Sequence, residues 1–298
     1  MARQCQRHRL RPRKQQLGIN VKNALLPHRI CAVLLLLCCG QAIAAATELT
    51  KDDVDFRKEV YVNKDGDRLP YRLFVPVGYD ASHKYPLVVW LHGNDGRGDD
   101  NLNQLIGGNQ IGAHFWITSE VQLKFPAFVF APQCPALKNW AEPEFNQPSK
   151  WLVMAVEALA KVQKEFSVDP DRVYIAGQAM GGIGVWSLLQ NYRGKWAAAI
   201  VISAYDNFSD VPAIAEVPLW VFQATDDSYV PITIVRSMMA QLKKAHANLR
   251  YTEYPKITKD VWNKAFAEPD LLPWLSAQKR PAPPAASQVG TSSKPPTQ

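Results

Sequence analysis

Residues 173–184 read VYIAGQAMGGIG. Val173, Tyr174 and Ile175 are strand formers, and Val185-Trp186-Ser187-Leu188-Leu189 continues the stretch as an apolar helix. Between them Gly177, Gly181 and Gly182 crowd the point where the backbone must reverse. Strand, tight turn and helix in this order match the elbow G-x-S-x-G, in which a strained turn holds a serine hydroxyl above a parallel sheet. Here the five residues are Gly177-Gln178-Ala179-Met180-Gly181, with alanine at the tip. A methyl group cannot attack a carbonyl, so the turn is expected and its chemistry is missing.

Outward from the elbow, strands alternate with helices. Upstream, residues 55–63 and 69–77 flank the turn signal Lys64-Asp65-Gly66-Asp67 and read as an antiparallel edge hairpin. Leu87-Val88-Val89-Trp90-Leu91 is a buried strand that ends in the loop His92-Gly93-Asn94-Asp95-Gly96-Arg97-Gly98. A further strand is expected over 125–131. A helix follows over 151–166, with Leu152, Ala155, Leu159 and Val162 three and four residues apart. Ser167-Val168-Asp169-Pro170-Asp171 breaks that helix before the elbow strand. Downstream, strands are expected over 197–203, 217–224 and 249–254, and helices over 231–245 and 261–266. This alternation predicts an α/β fold, with a mostly parallel central sheet covered by helices on both faces.

The net charge of +7 is concentrated at one end of the chain. Residues 1–46 hold eight Lys/Arg and no Asp or Glu, which leaves 26 basic against 27 acidic residues in the remainder. A nearly neutral body offers no basic patch for nucleic acid. The first 46 residues read as a signal peptide with a long basic region to Arg29, an apolar run from Ile30 to Cys39 and a cleavage site at Ala42-Ile43-Ala44. The run is short for a bilayer span, so no stable membrane span is expected after cleavage. Cleavage also removes every cysteine except Cys134, which reads as a structural thiol. Residues 47–280 form the expected domain, and 281–298 are a Pro/Ala/Ser-rich tail without periodic apolar residues.

Several stretches together carry a resemblance. They are Tyr71-Arg72-Leu73-Phe74-Val75-Pro76, Leu91-His92-Gly93 followed by Arg97-Gly98-Asp99-Asp100-Asn101, Ala131-Pro132-Gln133-Cys134-Pro135, Asp169-Pro170-Asp171-Arg172-Val173-Tyr174, and the elbow. In order and spacing over about 55–280 they resemble the α/β-hydrolase superfamily. The similarity is to secreted carboxylesterase/phospholipase-like proteins and predicted peptidases akin to feruloyl esterases and polyhydroxybutyrate depolymerases.

The resemblance implies a Ser, Asp, His order along the chain. Ala179 occupies the nucleophile position. Asp227, in Asp227-Ser228-Tyr229-Val230-Pro231, matches the acid. Lys259, in Tyr254-Pro255-Lys256-Ile257-Thr258-Lys259-Asp260-Val261-Trp262, falls where the histidine should be. The backbone N–H groups of Asn94 and Met180 would form the oxyanion hole. A serine–histidine mechanism needs an imidazole to take and return the serine proton, and two of its three side chains are absent. The expectation is an exported pseudoenzyme, periplasmic or secreted, that binds a ligand or partner through the old cleft, a small ester or carboxylate-like molecule being one such ligand. No metal or cofactor is implied, and the oligomeric state is not encoded legibly. The rival expectation is a working carboxylic-ester hydrolase, with residue 179 artificially changed or with a relocated nucleophile such as Ser203 or Ser228.

Overall fold

Neighbouring residues on one strand go to opposite cores. In β3 (Tyr85–Leu91), Leu87, Val89 and Leu91 pack into one apolar cluster, and Val88 and Trp90 into another. A strand buried on both faces reads as an unbroken apolar run, which is why the sequence alone locates it. The structure is a computed structural model that describes residues 55–142, 147–258 and 261–280. The expected leader over 1–46 and tail over 281–298 lie outside the described residues.

The remaining strands are β1 (Arg57–Val62), β2 (Arg68–Phe74), β4 (Phe128–Pro132), β5 (Ala141–Glu142), β6 (Gln147–Pro148), β7 (Val168–Gln178), β8 (Ala198–Ile202), β9 (Leu219–Ala224) and β10 (Leu249–Tyr254). Together with β3, seven of them form one eight-stranded sheet among the described residues, in the order β1-β2-β4-β3-β7-β8-β9-β10. β2 runs antiparallel to both neighbours, and the pairs from β4 through β10 are parallel. The expected edge hairpin is therefore β1 and β2, closed by a turn in which Asn63 Oδ1 accepts from the Asp65 and Asp67 N–H groups.

Three longer helices, α1 (Lys150–Glu165), α2 (Met180–Asn191) and α3 (Ile232–Lys244), send Leu152, Leu159, Val185, Leu188, Val235 and Leu242 into the first cluster. Ser149 caps α1 by accepting from the Leu152 N–H at 3.3 Å. The second cluster is covered by short helical pieces. Trp116, Val121, Phe266 and Trp274 enter it, and Phe266 meets Trp90 edge-on at 5.8 Å. No helix among the described residues is long and apolar enough to cross a membrane.

Two local expectations shift. The strand expected from residue 125 starts at Phe128, because Pro126 has no N–H for a ladder and Phe125 closes the preceding helix (Ser119–Lys124). The helix ends before residues 167–171 as expected, but the elbow strand starts earlier than expected, at Val168, which pairs with Tyr85, and an irregularity in register absorbs the Asp-Pro-Asp step. The helical turns between Asn103 and Lys124 carry no sequence periodicity and were not anticipated.

Candidate active-site cleft

β3, β7, β8, β9 and β10 all end at one rim, the edge of an open parallel sheet where ligands bind. The segments that follow them line a common cavity of about 370 Å³, to which Asn94, Ala179, Ser203, Asp227, Thr258 and Trp262 contribute.

Ala179 sits at φ +48°, ψ −116° between β7 and α2. An L-residue pays roughly 1–3 kcal/mol to enter such a region. The turn is over-determined from both sides. The Ala179 N–H donates to the Ile202 carbonyl at 2.9 Å, and its own carbonyl accepts from the Ile183 N–H at 3.1 Å. Gly181 lets α2 press against β3, since a Cβ there would stand 1.9 Å from the Leu91 carbonyl oxygen. The elbow therefore keeps its strained shape, with a methyl group where a nucleophile would project.

Met180 opens α2, and Asn94 opens the 3-10 turn Asn94–Gly96 after β3. The first N–H groups of a helical segment have no partner within it, so both backbones can present donors at the sheet rim. Asn94 lines the cleft, whereas the Met180 side chain lines a neighbouring cavity. Asp95 lines the cleft as well and adds a negative charge to it.

Asp227, the residue at the acid position of the resemblance, lines the cleft, and its carboxylate is engaged locally. Oδ1 accepts from the Tyr229 and Val230 N–H groups at 2.9 and 3.0 Å, and Oδ2 from Gln223 Nε2 at 3.2 Å. Asp227 thereby folds its own loop. Lys259 lies outside the described residues, although Thr258 and Trp262 on either side of it line the cleft. Among the described residues no histidine lines the cavity.

His92 belongs to the scaffold of the cleft. It is fully buried, with Nδ1 2.6 Å from the Gly93 carbonyl and Nε2 accepting from the Cys134 N–H at 2.9 Å. This pairing fixes the neutral tautomer with the proton on Nδ1, and burial pushes the imidazole pKa down to about 4. Gly96 is required beneath the ring, because a Cβ there would come within 2.4 Å of it. Cys134 is buried too, its thiol pKa pushed up to about 12 by burial, so it stays protonated and structural. Gln133 ties the motif segments together by accepting from the Asn101 N–H and donating to Asp100 and the Gly96 carbonyl. Among the described residues no group of His, Cys, Asp or Glu could hold a metal.

Sequence reasoning missed the cleft's polar floor. Gln178 Nε2 donates to the Gly108 carbonyl and to Asn109 Oδ1, which also accepts from the Gly93 N–H at 2.7 Å. These bonds leave Gln178 Oε1 and Asn109 Nδ2 buried without a partner among the described residues, and Ser203 Oγ is in the same condition. All three residues line the cleft. Gln178 stands inside the elbow motif and could have been singled out. Asn109 comes from an unpatterned loop and gave no signal.

The family described as "Putative esterase" matches residues 64–289. A solved thermostable esterase is 34% identical, with a TM-score of 0.73, over 76% of this chain and 64% of that one. The chain thus spans a little under two thirds of that esterase's length. A ferulic acid esterase from Anaeromyces mucronatus, solved with ferulic acid, is 16% identical with a TM-score of 0.51, over 75% of this chain and 90% of that one. A serine-to-alanine mutant of the feruloyl esterase module from Clostridium thermocellum, complexed with sinapinate, is 17% identical with a TM-score of 0.50, over 74% and 87%. A comparison with curated proteins found no match.

Proposed function

The chain belongs to the esterase family with the α/β-hydrolase fold, and from that premise we propose that it is an exported pseudoenzyme that binds a small ester or carboxylate in the former catalytic cleft. The observation that carries this reading is Ala179, which holds the strained elbow conformation with no hydroxyl to offer. With no histidine among the described cleft residues, a serine–histidine proton cycle lacks its base as well as its nucleophile. What remains suits binding. The backbones of Asn94 and Met180 supply N–H donors, and Asn109 Nδ2 and Ser203 Oγ are buried polar groups awaiting partners. Removing the serine oxygen also leaves room for the second oxygen of a carboxylate. The serine-to-alanine feruloyl esterase module that holds sinapinate offers a parallel for an acid retained by this fold. Export rests on the leader read in residues 1–46.

One observation favours a second reading, an active hydrolase with a relocated nucleophile. Ser203 has φ +47°, lines the cleft and has a partnerless Oγ. Its buried hydroxyl still lacks a histidine base, so donation to a ligand is the role its surroundings support better. The test is hydrolysis of short- and long-chain p-nitrophenyl esters by the natural chain, by Ser203→Ala and by the double mutant Ala179→Ser/Lys259→His. The expected result is no turnover by the natural chain above the uncatalysed rate, and measurable turnover by the double mutant. Turnover by the natural chain that disappears in Ser203→Ala would establish the second reading and end the first.

A further inference from the structure

Beside the cleft, a second cavity of about 330 Å³ opens between α2, the Ala141–Glu142 strand and the loop after β8. Its wall on α2 is formed by Met180, Ile183 and Ser187, spaced three and four apart so that they share one helix face. Ala141 and the half-exposed ring of Tyr205 add apolar surface. The polar groups in this wall are unusual. Asp206 is half-buried, and its carboxylate accepts from Gln190 Nε2 at 2.7 Å and from the Asn207 N–H at 2.8 Å. A carboxylate offers about four acceptor sites, so roughly two remain open. Both donors that it has are neutral, and burial holds its carboxyl above the ordinary carboxylate range. The cation Arg193, further along the chain after α2, is committed to Asp210 and Glu216. Ser187, 1% exposed, lines the cavity with a buried Oγ that has no partner among the described residues, and Glu142 adds a second negative charge.

The geometry points to a second binding site in this cavity, one for an organic ammonium ion, in which the Asp206 carboxylate and the Ser187 hydroxyl accept from the ammonium while Met180, Ile183 and Tyr205 enclose its apolar body. An ammonium has three donors and no acceptor, which matches an open carboxylate beside an unpartnered hydroxyl. The Tyr205 ring adds a face to which a cation is attracted. Neither a neutral alcohol nor a carboxylate would satisfy this wall, because neither brings the charge that Asp206 lacks. The site shares no argument with the reading of the esterase cleft and stands or falls separately.

The experiment is calorimetric titration of the full chain with benzylammonium, using benzyl alcohol and benzoate as matched probes. Saturable binding of benzylammonium is expected, about tenfold or more tighter than benzyl alcohol, since a charge-assisted bond exceeds a neutral one by that order. Asp206→Asn should weaken it about tenfold, and Ser187→Ala by a smaller factor. Circular dichroism checks that each variant is folded. If Asp206→Asn does not fold, Ser187→Ala and the probe comparison decide. Absence of benzylammonium binding, equal affinity for benzyl alcohol, or binding unchanged in folded Asp206→Asn or Ser187→Ala would each overturn the proposal.

Discussion

Replacing Ala179 by glycine should stabilise this protein, although glycine in a regular element ordinarily destabilises. At φ +48°, ψ −116° the alanine Cβ is the source of the strain, which is worth about 1–3 kcal/mol. Against the relief stand glycine's larger conformational freedom in the unfolded chain, about 0.5–1 kcal/mol, and the loss of one partly buried methyl, under about 0.8 kcal/mol. The balance favours Ala179→Gly by about 1 kcal/mol, which for a domain of this size raises Tm by about 2–4 °C. Two residues further on the sign reverses. Gly181→Ala drives a Cβ to 1.9 Å from the Leu91 carbonyl oxygen, a backbone atom that cannot step aside, and should cost about 3 kcal/mol or more. Urea unfolding followed by tryptophan fluorescence, with thermal melts by circular dichroism, measures both. A folded Ala179→Gly that is less stable than the natural chain by about 0.5–1 kcal/mol would mean an ordinary, relaxed turn, and the claim that the elbow survives without its serine would fail.

Further outcomes follow from the same geometry. Asp227→Ala removes the acceptor for the Tyr229 and Val230 N–H groups and should lower stability by about 1–2 kcal/mol, with Asp227→Asn intermediate, read from urea midpoints at constant m. His92 has its pKa depressed in the folded state, so its contribution is complete above about pH 6.5 and declines as pH falls toward about 4. The loss approaches about 3 kcal/mol, and the pH dependence of unfolding between those limits should flatten in His92→Gln. Cys134, buried with its thiol pKa near 12, should react with a disulfide reagent only as fast as the protein opens, and at once in denaturant.

The inner strands β3, β4, β8 and β9 were legible because each is a short apolar run closed by turn residues, and burial on both faces removes the ambiguity of alternation. α1 was legible because Leu152, Ala155, Leu159 and Val162 keep a helical spacing, and all four are buried. The turns between Asn103 and Lys124 were not, because short helical pieces make few local bonds and are held by packing around Trp116 and Phe266. The same limit applied to the site. Ala179 could be singled out because the glycines around it write the turn's backbone demands locally, whereas Asp227 was picked by its resemblance to a family motif.

The sequence by itself determined the architecture, the elbow and the alanine at its tip, since these depend on residue types at fixed short separations. Only the tertiary structure decided which polar atoms meet at the sheet rim. Asn109 and Gln178 are 69 residues apart in the chain and within hydrogen-bond distance in space. That the hydroxyls of Ser203 and Ser187 have no partner among the described residues emerges only once the donors and acceptors around them are located in space. Whether a buried hydroxyl is satisfied depends on the whole set of neighbours that packing brings within about 3 Å, and no local pattern encodes that set.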